Sequence, residues 1–161
     1  MACFAACGGA GGGSGNGGTG GSGGSGGGAS GGTGGAGGGA VASYTKTLIN
    51  NNDCTVKITG VDPNGFYGYT LDVYLENKTN TTLMFAVDDV SVNGYMCDPY
   101  FAETVAAGKK SNTEISWFES DFEDSGITTV NTIEFTLKVY DDDNWDAAYL
   151  VEQTFTLYPT V

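Results

Sequence analysis

From Cys54 to Leu157 apolar and polar residues alternate with a period of two, in runs separated by turn-forming residues. That period belongs to strands with one face in a core and the other in solvent. Val56 and Ile58 alternate with Thr55, Lys57 and Thr59. Tyr69, Leu71, Val73 and Leu75 alternate with Thr70, Asp72, Tyr74 and Glu76 in the clearest strand of the chain. Leu83, Phe85 and Val87 mark another, and a shorter run through Val90 and Val92 leads to Asn93-Gly94. Asn-Gly is the preferred pair of a two-residue hairpin turn because both positions can need positive φ. Ile115 with Trp117, then Ile133, Phe135, Leu137 and Val139, then Val151, Phe155 and Leu157 predict three more strands. Ser120 with Glu123 three residues on has capping-box spacing, and Gly126 can close the turn, so one short helix is expected there.

About seven strands at this spacing in an all-β segment predict an immunoglobulin-like antiparallel β-sandwich. The glycines set its limits, for 22 of the 28 fall between Gly8 and Gly39. Residues 8–40 hold only Gly, Ser, Thr, Ala and one Asn, too little apolar surface to offset the entropy of ordering. The expected organisation is a flexible, disordered glycine-rich tether over 8–43 and one sandwich domain over 44–161. No run of 18 apolar residues occurs that could span a bilayer.

Residues 1–7 read as the remnant of a lipoprotein signal and lipidation region. Ala5 and Ala6 stand directly before Cys7 and the glycines follow, which makes Cys7 the candidate lipid-modified residue. Phe4 stands where such a signal prefers leucine, and the stretch before Cys7 is too short for charged and apolar signal regions, so further residues are expected upstream of Met1. The other reading is a tag-like terminus with two free thiols, Cys3 and Cys7.

Six lysines, no arginine, no histidine and 19 acidic residues give a formal charge of −13. Phosphate binding needs clustered basic residues, so nucleic acid is excluded as a partner, and a membrane is reached only through a lipid on Cys7. Histidine is the usual general base near neutral pH and arginine a usual clamp for developing negative charge. With both missing, the chain is not expected to be an enzyme, although the acids leave open a carboxylate pair of the glycosidase kind.

The segments Gly68-Tyr69-Thr70-Leu71, Leu75-Glu76-Asn77-Lys78-Thr79, Val92-Asn93-Gly94-Tyr95-Met96-Cys97-Asp98-Pro99, Ala107-Gly108-Lys109-Lys110-Ser111 and Val139-Tyr140-Asp141 occur in order across residues 53–158. In them the chain resembles the small immunoglobulin-like lipoprotein domains of gut Firmicutes, and is distantly similar to the superfamily of a mycobacterial immunoprotective secreted antigen. The resemblance implies a fold and an extracytoplasmic, lipid-anchored position at the cell surface. It carries no activity.

Cys54 and Cys97 are the only thiols of the folded part, and an oxidising location would join a close pair in a disulfide; two buried free cysteines are the alternative. Asp142, Asn144 and Asp146 have the alternate spacing of oxygen donors in a weak Ca²⁺ loop, the one cofactor considered. Ala147 stands where an EF-hand needs glycine, and the plainer reading is a polar hairpin loop. Asn77 and Asn80 head glycosylation sequons that serve equally as turn residues. Aromatic residues outside the strands gather in three stretches, Phe66 with Tyr67, Tyr95 with Tyr100 and Phe101, and Trp145 with Tyr149. Beside Asn and Asp they suit a glycan or protein partner or plug the ends of a core, and Tyr100, Trp145 and Tyr149 are the expected ligand-binding residues. The leading expectation is a monomeric, surface-displayed, membrane-tethered binding or accessory domain without catalysis. The competing one is a structural or protective envelope protein with no specific ligand.

Overall fold

A computed structural model describes residues 43–144 and 146–159. The expected lipidation site Cys7, the glycine-rich segment up to residue 42 and Trp145 lie outside the described residues. Among the described residues nine strands and one helix follow in the order β1 (Lys46–Asn50), β2 (Cys54–Gly65), β3 (Gly68–Asn77), β4 (Leu83–Val92), β5 (Tyr95–Met96), β6 (Ala102–Val105), β7 (Lys110–Ser116), α1 (Glu119–Asp124), β8 (Ile133–Asp141) and β9 (Val151–Leu157). One sheet has the order β1-β2-β3-β7. In the other, β4 lies between β8 and the short strands β5 and β6, and β9 completes the far edge. Every pairing is antiparallel, and the chain passes from one sheet to the other after β3, β6 and β7.

The predicted alternation is what closes the core. Tyr69, Leu71, Val73 and Leu75 of β3 face Leu83, Phe85, Val90 and Val92 of β4 and Ile133, Phe135, Leu137 and Val139 of β8 in one buried cluster. At about 25 cal/mol per Å² such burial is the main favourable term of folding. Inward parity is odd up to Val87 and even from Val90. The switch is a β-bulge, where the register against β8 slips between Asp88 and Ser91 and Asp89 takes a positive φ of 51°. Asn93 and Gly94, at φ 52° and 84°, form the predicted two-residue turn between β4 and β5.

The helix departs from expectation at its start. Its N-cap is Phe118, which supplies no side-chain hydrogen bond, so Ser120 lies inside the first turn and no capping box forms. Backbone geometry supplies the start instead, with the Asp121 N–H donating to the Phe118 carbonyl. At the other end Gly126 does close the turn at φ 67°. Its N–H donates to the Glu123 carbonyl and the Ile127 N–H to that of Phe122, the paired bonds of a Schellman motif.

Candidate functional site

The β2–β3 hairpin turns on Phe66 and Tyr67, between the paired glycines Gly65 and Gly68. Gly68 sits at φ 132°, and a Cβ there would lie 2.4 Å from the Trp117 carbonyl oxygen, so only glycine lets this tip press against the chain leaving β7. Trp117 continues the inward parity of β7. It is 1% exposed, and its Nε1–H donates to the Cys97 carbonyl at 2.8 Å. The next residue, Phe118, therefore faces out and meets Tyr67 edge-on at 6.2 Å between ring centroids, while Tyr67 meets Phe66 at 4.9 Å. Tyr100 joins from the opposite side. Its N–H donates to the Ser116 carbonyl at 2.7 Å and its own carbonyl accepts from the Ser116 N–H, a single bridge on the outer edge of β7.

These elements enclose a groove of roughly 840 Å³ on the outer face of the β1-β2-β3-β7 sheet, walled by Tyr67, Phe118 and Tyr100 and floored by Thr59, Asp72, Asn112, Glu114 and Ser116. The rings are available to a ligand, with Tyr67 60%, Tyr100 81% and Phe118 51% exposed. On the floor Asp72 and Glu114 stand directly opposite each other in the β3–β7 register. The salt bridges among the described residues are Lys110–Glu76 and Lys138–Asp88, and neither reaches this pair.

The expected trio of ligand-binding residues is not one surface. Tyr149 lies on the outer face of the other sheet, edge-on to Tyr140 at 5.6 Å and under the Lys138 ammonium at 5.3 Å. Tyr100 belongs to the groove on the opposite side of the sandwich, and Trp145 lies outside the described residues. The sequence singled out Tyr67 but not Phe118, which the alternation Ile115, Trp117 would have found if carried one residue further. Asp72 and Glu114 bear no local mark, since only register joins them.

The expected disulfide between Cys54 and Cys97 does not form: both thiols are free and buried. Cys54 pairs with Asn77 at one end of β3, whereas Cys97 is held by Trp117, whose N–H donates to the Tyr69 carbonyl at the other end. The strand between Tyr69 and Asn77 spans about 25 Å, far beyond a disulfide's reach. Burial, with Asp53 adding and Lys78 opposing, pushes the Cys54 thiol from 9.0 up to about 11. Burial likewise raises Cys97, with smaller contributions from Asp121 and Asp98.

The chain leaving β8 opens on a hydrogen-bonded turn at Asp141. Asp141 Oδ1 accepts from the Asp143 N–H, the Asp141 carbonyl from Asn144, and the Asn144 carbonyl from Ala147. Asp142, Asn144 and Asp146 are exposed, and no three His, Cys, Asp or Glu side chains gather as metal ligands among the described residues. Of the sequons, Asn80 is exposed and Asn77 buried.

Comparison with protein-family models, curated proteins and solved structures finds no match to this chain.

Proposed function

We propose that this chain is a non-catalytic binding module of immunoglobulin-like type, displayed outside the cytoplasm on a lipid-anchored tether, with the Tyr67–Tyr100–Phe118 groove as its ligand seat. The carrying observation is the convergence of these three exposed rings, from three separate segments, on one polar-floored groove. Exposed aromatic side chains around a concavity offer large contact area at low entropic cost and are typical binding anchors. A core plug would bury them. The lipid anchor rests on the Ala5-Ala6-Cys7 context and on the resemblance to surface lipoprotein domains.

A glycoside-cleaving reading of Asp72 and Glu114 is weaker. Such chemistry needs a site that excludes water and holds the sugar between the two carboxyls. Glu114 is exposed, and it stands beside Asp72 on an open floor whose other groups are hydroxyls and an amide.

The test is a screen of the full chain against peptide and oligosaccharide arrays, followed by Tyr67→Ala and Tyr100→Ala. Each substitution is expected to weaken the ligand found by about tenfold or more, and Tyr149→Ala to leave it unchanged. A chain that retains no ligand on either array is instead the structural envelope protein of the competing reading.

A further inference from the structure

Resting on that reading of the groove, we infer that its occupant is a cationic segment of a partner protein, an extended peptide that places a lysine or arginine side chain against Asp72 and Glu114 between the rings of Tyr67, Tyr100 and Phe118.

The first ground is an imbalance internal to two strands. Like charges directly opposite each other in a sheet are destabilising, and opposite charges there are favourable. Four residues along the same β3–β7 pair, Glu76 faces Lys110 and the two form a salt bridge of 3.4 Å. At Asp72 and Glu114 the same face carries two acids and no bridging cation. The chain has six basic residues, and the remaining ones are placed elsewhere. Lys57 lies over the Tyr74 ring, Lys78 donates to Asn50 and Asn51, Lys46 to the Thr156 carbonyl and Lys138 to Asp88. Lys109 sits in the exposed turn after β6. Water and small ions screen the pair while the groove is free, so a side-chain cation placed against it is one from another molecule.

The walls suit the same guest. An ammonium or guanidinium group over an aromatic ring is attracted by the ring's quadrupole, and this sandwich uses that contact twice itself, at Lys57 on Tyr74 and Lys138 on Tyr149. Extended form follows from the edge of β7. Both backbone groups of Ser116 point away from β3, toward Tyr100. Alternation along an antiparallel strand directs those of Glu114 the same way, and among the described residues β7 pairs with no strand other than β3. The Tyr100–Val105 segment touches this edge at Ser116 and Ser111, so an extended guest entering between those contacts meets the Glu114 backbone groups as well as the carboxylates, a short form of β-augmentation.

The test uses the full chain and a positional-scanning library of end-capped octapeptides, read by fluorescence polarisation, beside a series of neutral oligosaccharides. The expected result is enrichment of Lys or Arg at one position, with affinity falling about tenfold or more between low and high salt. The double variant Asp72→Asn, Glu114→Gln should lose about tenfold or more of that affinity while its melting temperature rises by about 1–4 °C, because it removes a repulsion. A lowered melting temperature would assign the two acids a structural role and overturn the inference. Oligosaccharide binding that depends on Tyr67 and Tyr100 but is indifferent to the double variant would overturn the cationic occupant and leave the groove standing. Binding of either probe that ignores Tyr67→Ala and Tyr100→Ala, or no binding at all, would remove the groove as a site.

Discussion

The Asn77 side chain is used at every position open to it. Its Nδ2 donates to the Thr81 and Val105 carbonyls, each at 2.8 Å, and its Oδ1 accepts from the Thr79 N–H and hydroxyl. At 1% exposed it ties the end of β3 to the end of β6, and in the folded chain both hydrogens of its amide are committed to carbonyls. Asn77→Asp turns a carboxylate toward two carbonyls that need donors. The expected loss is about 3 kcal/mol or more in urea unfolding, against about 2 kcal/mol for Asn77→Ser. The buried thiols give a second residue-scale expectation. Unreduced protein should release both Cys54 and Cys97 to a thiol reagent only after unfolding. Because the Cys54 thiol is raised from 9.0 to about 11, the folded state holds its proton more tightly than the unfolded one. That contribution to stability is whole below pH 9 and declines as pH rises toward 11, so unfolding midpoints should fall across this window and Cys54→Ala should flatten the fall.

Among the elements, the bulge of β4 invites a direct measurement. Asp89 occupies left-handed backbone that costs a non-glycine residue about 1 kcal/mol, so Asp89→Gly should stabilise the fold by up to about that amount and Asp89→Val should destabilise it by more. The alternation reads as two runs, Leu83 to Val87 and Val90 to Val92, and the bulge that joins them into one strand came only with the structure, whereas the Asn93-Gly94 hairpin was readable as a dipeptide. Strands β1 and β6 were not readable. In β1 the register slips between Thr47 and Ile49, which leaves Leu48 and Ile49 adjacent and both half-buried, with no period to detect. β6 has four residues with only Val105 buried, and β7 turns Ser111 and Thr113 inward where a central strand would carry hydrophobes. Edge and corner strands bury little, so they leave little imprint on composition.

At the scale of the whole molecule, two antiparallel sheets around one core follow from the alternation, since strands with one apolar face have few ways to cover it. The groove does not follow. Its lining comes from Thr59 on β2, Asp72 on β3, Tyr100 before β6 and Glu114 on β7, and pattern along a chain gives the face of each residue without naming its neighbour. Tyr100 and Tyr149 looked alike in sequence for that reason, though the fold sets them on opposite sides. The Lys46 ammonium, meanwhile, donates to the Thr156 carbonyl at 2.9 Å, joining the first strand of one sheet to the last strand of the other. Entry to the sandwich and exit from it are therefore neighbours, and the order in which its strands are strung is separable from the architecture they build. A circular permutant that opens the exposed turn at Gly108 and joins Tyr158 to Tyr44 through a short Gly-Ser linker should fold cooperatively, within about 2 kcal/mol of the parent in urea. Failure to fold would mean that the β6–β7 connection guides assembly. Success would make the sandwich a cassette, able to sit within a surface loop of a host protein without prising its ends apart.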